Sequence, residues 1–446
     1  MGELGTRCRR CTPRNWPSTG SVVTRKQYEW ELGSEFPVIQ QHSVAKHDIL
    51  RAYLSSYIQT LISNPNREEF RLVLVDGFAG GGIYRHADTR NEILGSPFIM
   101  LEAAQEAEKL ININRRKPVK LDIDYFFIEK DASAAACLLE VLRRRGYEQK
   151  LNRNIFLSNS TFESKADELI ERARKKMPKS PRAIFLLDQY GYSDVPTDRI
   201  AKIIQSLPGS EVILTFAVDA LLNYFSDHSD ITKALLTKIG IPTVLRGRTF
   251  EDIKKVGADW RLFIQACVYR ELVEQCRAKY YTLFFIRSSH GHGDYWLIHF
   301  SQKARARDVM TRVHWENNNH FIHYGGAGLE MFEALGYVPE KDDKMTGQSA
   351  LFCFDDIARK RSTNQLVDQI APLIYADPDG ITFAELFATT CNLSPASADI
   401  YKSAISQLRG HREIEVISAV TGKSTHAKIQ DEDHIRVPDQ RSLFMV

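Results

Sequence analysis

The feature that most constrains this chain is an alternation of short, almost wholly apolar runs with helical patterns. RLVLVD (71–76), DIDYFFIE (122–129), NIFLSN (154–159), AIFLLD (183–188) and EVILTFAV (211–218) are strand-length and rich in β-branched and aromatic residues. Runs of that kind, buried on both faces and separated by helices, build a parallel sheet with helices on either side. The intervening helices are expected at 96–110, 131–145, 163–176 and 196–206, with Ser96 as a cap and Pro97 in the first helical position. Upstream, residues 43–63 place Ile49, Tyr53, Tyr57, Ile58 and Leu61 at helical spacing, with Ser43 as the N-cap. Two further strands, 280–289 and 295–301, flank the turn signal HGHGD.

A closing hairpin after five parallel strands points to the methyltransferase variant of the Rossmann fold. A plain dinucleotide-binding fold would usually finish parallel. The expected fold class is therefore α/β: a class I S-adenosylmethionine (SAM) methyltransferase sheet of seven strands with a terminal β-hairpin, followed by a C-terminal winged helix. At 446 residues two domains are expected. Residues 1–35 read as a flexible basic leader, 36–335 as the Rossmann-like domain with a helical insert at about 219–278, 336–360 as a connector, and 361–446 as the winged helix. The tail reads as helices at 364–375, 382–390 and 395–409, then a ribbon of EIEVISA (413–419) and HAKIQD (426–431).

The candidate cofactor site opens with LVDGFAGGG (74–82), which sets Asp76 at a strand end before Gly77, Phe78, Ala79, Gly80, Gly81 and Gly82. Glycine is needed where the backbone turns tightly and must come close to a ligand. The next helix is delayed to about Ser96, which suits the methionine part of SAM better than a pyrophosphate on a helix N-terminus. Glu129 ends the second strand, where an ionised carboxylate can accept from both ribose hydroxyls, with Lys130 beside it. Asn159 and Ser160 end the third strand, within reach of an adenine edge. LLDQYGYSDVP (186–196) ends the fourth strand, where amino-group methyltransferases carry D/N-P-P-Y/F. Asp188 takes the first position of that motif, Gln189 and Tyr190 replace the prolines, and Gly191 or Tyr192 falls at the aromatic position. Asp188 would hold an acceptor amine while Tyr190 or Tyr192 stacks on a base.

The blocks AKHDILRAYL (45–54), LVDGFAGGGIYR (74–85), GSPFIMLEA (95–103), YFFIEKD (125–131) and LLDQYGYSDVP make the chain resemble the three-Cys-motif partner proteins (TcmP) over residues 40 to about 335. More remotely it is similar to the adenine-N6 methyltransferases of large-subunit ribosomal RNA, which carry a Lys/His pair before the glycine turn. That resemblance implies that Lys46 and His47 lie over the cleft, and Arg85 joins them as a substrate-side candidate. Missing the Pro-Pro pair, the chain departs from that family where a backbone carbonyl would be presented. The implied function is SAM-dependent methylation of an amino group on a nucleic-acid base, RNA ahead of DNA. Two alternatives stand: a non-catalytic partner that binds a neighbouring protein through the winged helix, and a phage-defence component that uses the pocket differently.

Charge narrows the partners. The formal net charge is +3, so any nucleic-acid footprint must be local. Residues 361–446 hold eight Lys/Arg against eleven Asp/Glu, and the candidate recognition helix offers only Lys402 and Arg409. The basic runs 115–120, 142–150 and 173–182 precede strands, away from the cleft, and read as solvated surface. Seven scattered cysteines suit reduced thiols in a cytoplasm, and Cys8 and Cys11 form the one C-x-x-C, too few ligands for zinc. No metal-ligand spacing occurs among His290, His292, His299, His314, His320 and His323. No run of about 18 apolar residues is present, and no membrane association is expected.

Overall fold

The computed structural model describes residues 28–224, 229–249, 252–253, 255, 260–286, 295–317, 321–322, 327–329, 355–377 and 379–438. Cys8, Cys11, the HGHGD turn with His290 and His292, His320, His323 and most of the expected connector lie outside the described residues.

Strand β1 (Glu69–Asp76) is followed by a short antiparallel ribbon, β2 (Ile83–Arg85) with β3 (Glu92–Leu94), then by β4 (Lys120–Glu129), β5 (Ile155–Asn159), β6 (Arg182–Leu187) and β7 (Gly209–Phe216). The five long strands pair in parallel in the order β5-β4-β1-β6-β7. Beyond β7 comes β9 (Tyr295–Ser301), antiparallel to both β7 and β8 (Tyr280–Ile286). Five parallel strands closed by a hairpin, whose second strand β9 inserts in reverse between β7 and β8, constitute the class I methyltransferase sheet. A two-residue strand, β10 (Phe321–Ile322), pairs with β8 and extends the expected seven strands to eight.

The pleat distributes β1 to two cores. Leu72 and Leu74 point into the core under α1 (Gln41–Leu61), α2 (Ser96–Asn112) and α3 (Ala132–Arg144). Val73 and Val75 point into the opposite core, under α4 (Phe162–Lys176), α5 (Thr197–Ser206) and the insert helices α6 (Val218–Tyr224), α7 (Ser229–Ile239) and α8 (Trp260–Cys276). Both faces of the strand are covered, which is why the run is continuously apolar.

Two expected caps differ. Helix α1 begins at Gln41 behind Gln40, which makes no side-chain cap, and Ser43 lies inside the helix with its hydroxyl 3.2 Å from that of Tyr28. Gly95, not Ser96, caps α2: a Cβ at Gly95 would stand 3.1 Å from the Gly82 backbone, so the turn packs tightly on the start of this helix.

After α9 (Ala304–Glu316) come α10 (Asp356–Tyr375), β11 (Ile381–Thr382), α11 (Phe383–Thr390), α12 (Ala398–Gly410), β12 (Glu415–Ile417) and β13 (His434–Arg436). Helix, strand, two helices and two strands, with a β11-β13-β12 sheet, make a winged helix. The second ribbon strand is 434–436 and not HAKIQD: pairing there sets Ile435 opposite Val416, both fully buried, whereas HAKIQD buries Ile429 as its one aliphatic anchor.

The winged helix shares a core with the sheet domain through α9. Buried Arg307 donates to the carbonyls of Ala396 (2.9 Å) and Ser394, and Trp315 Nε1 donates to that of Pro395 (2.8 Å). Asp308 accepts the Ala398 amide at 2.8 Å, capping α12, whose own N-cap Ser397 supplies no side-chain bond. Among the described residues no helix is long and apolar enough to cross a membrane.

Candidate functional site

The carboxyl ends of β6, β1 and β4 stand side by side, and the glycine turn crosses them. The Gly77 amide donates to Leu186 O (2.9 Å), that of Ala79 to Ile128 O (2.9 Å), and that of Gly80 to Glu129 Oε2 (2.8 Å). Gly80 (φ +58°) and Gly82 (φ +73°) occupy the left-handed region, open at low cost to glycine. Glu129 Oε1 accepts the Asp131 amide at 2.7 Å, so one carboxylate ties the turn to the start of α3. Each of its oxygens keeps a second lone pair. Asp76 is fully buried; its Oδ1 accepts the Phe78 amide at 3.1 Å, while Oδ2 has no hydrogen-bond partner. Burial raises its carboxyl to about 7, against the opposing pull of Ser96 and the Phe78 amide.

Asn159 donates to the carbonyls of Glu129 (2.9 Å) and Lys130 (3.1 Å), and the Ser160 amide donates to Glu129 O (3.0 Å). These residues therefore lock the β4 and β5 ends together. Lys130 turns outward to Asp194 at 3.8 Å.

The second half of the site is Asp188, just beyond β6. Lys46 of α1 clasps it with Nζ 2.5 and 2.7 Å from the two carboxylate oxygens. Burial pushes the Asp188 carboxyl up, but Lys46, the Thr215 hydroxyl and His47 more than offset this and hold it below the usual carboxylate range. Burial takes His47 down to about 4, so its imidazole is neutral at pH 7. Lys46, His47, Ser96, Asp188 and Thr215 converge on one small cavity.

Gln189 is buried, and its Oε1 accepts the amides of Asp194 (3.0 Å) and Val195 (3.1 Å). It holds shut the loop that stands where the family motif has prolines. The two tyrosines separate. Tyr190 is 50% exposed, whereas Tyr192 packs on Phe216 with ring centroids 6.4 Å apart. Arg85 is not brought to Asp188; it pairs with Glu35 at 2.7 Å, and its backbone bridges Pro37 and Ile39.

Sequence reasoning missed an aromatic roof. Trp30 donates from Nε1 to Ile83 O at 2.7 Å, and a Cβ on either Gly80 or Gly81 would run into its indole. Tyr28, Trp30 and Tyr84 form a cluster with centroids 5.0–5.8 Å apart, and the His47 ring lies 6.0 Å from Tyr84. Tyr295 joins the same corner: burial raises its hydroxyl to about 12, helped by Tyr190, Asp188 and Tyr28. Tyr28 and Trp30 fall within the stretch expected to be leader; their Y-x-W spacing was the signal that could have marked them.

Among the described residues no group of His, Cys, Asp and Glu is placed to hold a metal. His299 is buried against Glu211 (2.9 Å) and Tyr53 (3.2 Å), in the interior rather than at the site.

A family model described as the GMT-like wHTH domain matches residues 336–420. No curated protein matches the sequence. Among solved structures, the chain is similar to protein LPL1258 from Legionella pneumophila (13% identity over 56% of this chain and 84% of that one, TM-score 0.30). It is also similar to the bifunctional kinase-methyltransferase WbdD (11%, covering 58% of this chain and 39% of that one, TM-score 0.30). A SAM-dependent methyltransferase from Agrobacterium tumefaciens matches at 10% identity over 59% of this chain and 63% of that one, TM-score 0.28. The chain thus spans less than two thirds of the last two.

Proposed function

We propose that the protein is a SAM-dependent methyltransferase of the TcmP type whose acceptor is an amino group on a nucleic-acid base, RNA ahead of DNA. The observation that carries this reading is the Lys46–Asp188 clasp: an alkylammonium is seated on an ionised carboxylate at the end of the fourth strand, beside the glycine turn. The donor set suits the cofactor. The free Oδ2 of buried Asp76 is an acceptor for an ammonium, and the spare lone pairs of Glu129 are acceptors for a ribose diol. Bound there, SAM supplies an electrophilic methyl group.

The protein's share is placement. A carboxylate held below its usual range accepts a hydrogen bond well and a proton poorly. Asp188 therefore orients the amine N–H, aligning the nitrogen lone pair with the methyl, and the proton released after transfer leaves to water. Orientation and in-line approach supply most of the rate in such a step. Lys46 must yield one carboxylate oxygen to the incoming amine and keep the other, so that the charge holding Asp188 ionised stays beside it. Tyr190, exposed at the mouth, is the available stacking surface; an unstacked base of single-stranded RNA fits such a surface more readily than a paired one.

The test is transfer of a tritiated methyl group from SAM to fractionated RNA, DNA and protein. Label is expected in RNA. Asp188→Asn should reduce it by about 100-fold or more while calorimetric binding of S-adenosylhomocysteine is unchanged. Equal labelling by the variant, or no cofactor binding by either protein, sinks the proposal.

One observation favours a non-catalytic partner instead: Trp30 lies across Gly80 and Gly81 while Lys46 occupies Asp188, which describes a closed site. Under that reading S-adenosylhomocysteine leaves the Trp30 fluorescence unchanged; under the enzymatic one it shifts it.

A further inference from the structure

Helix α1 serves both ends of the sheet. Its first turns carry Lys46 and His47, while its last turns, at Tyr57 and Leu61, wall a cavity of about 390 Å³ at the opposite, amino-terminal edge of the strands. That cavity lies between α1 and the start of α9, where β6 and β7 begin.

Its lining is strongly one-signed. Lys179, Arg182, Lys303 and Arg305 surround it. Arg305 shares Asp308 at 3.4 Å, but among the described residues no carboxylate lies within ion-pair distance of Lys179, Arg182 or Lys303. The one acid in the wall, Glu211, is buried and already taken by the Tyr53 hydroxyl and by His299 Nε2 at 2.9 Å. Lys303 is the N-cap of α9 and provides no side-chain cap, so the first-turn amides add to the same field. The rest of the wall is mixed: Tyr57, Leu61, Ala306 and Val309 give it an apolar side with one aromatic ring, and Thr60, Ser210 and Gln302 add neutral polar groups. The volume falls in the range of small-ligand sites, roughly 300–1,000 Å³.

We propose that this cavity binds a nucleoside monophosphate. The base lies against Tyr57 and Leu61, and the phosphate is held by Lys179, Arg182, Lys303 and the first turn of α9. The basic run 173–182 thus divides: Lys176 is committed to Asp122 (2.7 Å) and Asp124 (2.8 Å), leaving Lys179 and Arg182 for a ligand. Three cations without a carboxylate partner, one of them Arg182 over the Phe70 ring at 6.0 Å, beside the apolar side formed by Tyr57 and Leu61 favour a phosphorylated aromatic compound over a simple anion or a neutral nucleoside.

The test is calorimetry on the full chain with AMP, adenosine and inorganic phosphate. AMP should bind at least about tenfold more tightly than either fragment. Lys179→Glu with Lys303→Glu should weaken AMP by about tenfold or more, at an unchanged melting temperature because both side chains are exposed. S-Adenosylhomocysteine binding should be unaffected in that variant, while Glu129→Ala should do the reverse. The proposal is overturned if AMP gives no heat, if phosphate alone binds as well, if binding survives the double charge reversal, or if Glu129→Ala abolishes it. Failure of the methyltransferase reading would appear separately, as loss of S-adenosylhomocysteine binding in every protein.

Discussion

Asp76 and His47 place opposite demands on the fold. Asp76 has its carboxyl raised to about 7, against about 3.9 in an unfolded chain. Between those values the unfolded state binds fewer protons than the folded one, so this group makes stability fall as pH rises through the window. Asp76→Asn should therefore raise the melting temperature at pH 8, gain little at pH 4, and weaken S-adenosylhomocysteine binding. A melting temperature lowered equally at both pH values would contradict the assignment. His47 behaves inversely. Its imidazole is down to about 4 in the fold, against about 6.5 unfolded, so its stability is complete above pH 6.5 and lost as pH falls toward 4. His47→Gln should flatten the acid limb of the stability profile by up to about 3 kcal/mol, read from urea melts at pH 4 and pH 7. An unaltered slope would remove His47 from the account. Both residues were singled out from the sequence, but their burial, and hence the sign of each effect, was not readable there.

At the scale of elements, the glycine turn and the segment before α1 act as one unit. Trp30 fits against Gly80 and Gly81 because neither has a side chain, and its indole N–H is satisfied by Ile83. Gly81→Ala should eject the ring at a cost of about 1–3 kcal/mol and move the tryptophan emission toward that of a solvated indole. Emission like that of the parent would show that the packing is tolerant. The α12 helix gives a second case. Recognition helices read DNA with their first residues, yet the start of α12 is docked on Asp308 of α9. Its two cations are engaged as well: Lys402 with Asp431 (2.9 Å) and Arg409 with Thr425 O (2.9 Å). In this arrangement the start of the helix is docked within the molecule, whereas the tail's acidic balance spoke only against phosphate contacts.

For the whole molecule, the sheet divides two apolar cores, and the core beneath α1 runs on into the winged helix. Arg307 is the main polar link across that junction; truncating it leaves the buried carbonyls of Ser394 and Ala396 without a donor. Removing one partner from such a network costs about 1–3 kcal/mol per orphaned group. Arg307→Ala should accordingly lower the melting temperature and split a single calorimetric transition into two, one for each part. A single transition at the original temperature would mean that the apolar contacts alone unite the parts.

The order of strands and helices, the two acids closing the first and second strands, and Asp188 after the fourth were legible in the sequence, because hydrophobic period and strand-end position are local properties. The second ribbon strand of the winged helix was misplaced because alternation shows that a segment can be a strand but not which partner it finds. The Lys46–Asp188 clasp joins residues 142 positions apart, and the seating of Trp30, the cap Asp308 gives α12 and the basic cavity beneath α1 likewise assemble distant segments. Local pattern fixed what each segment could be, while only packing of the folded chain decided which polar groups lost water and which charges met.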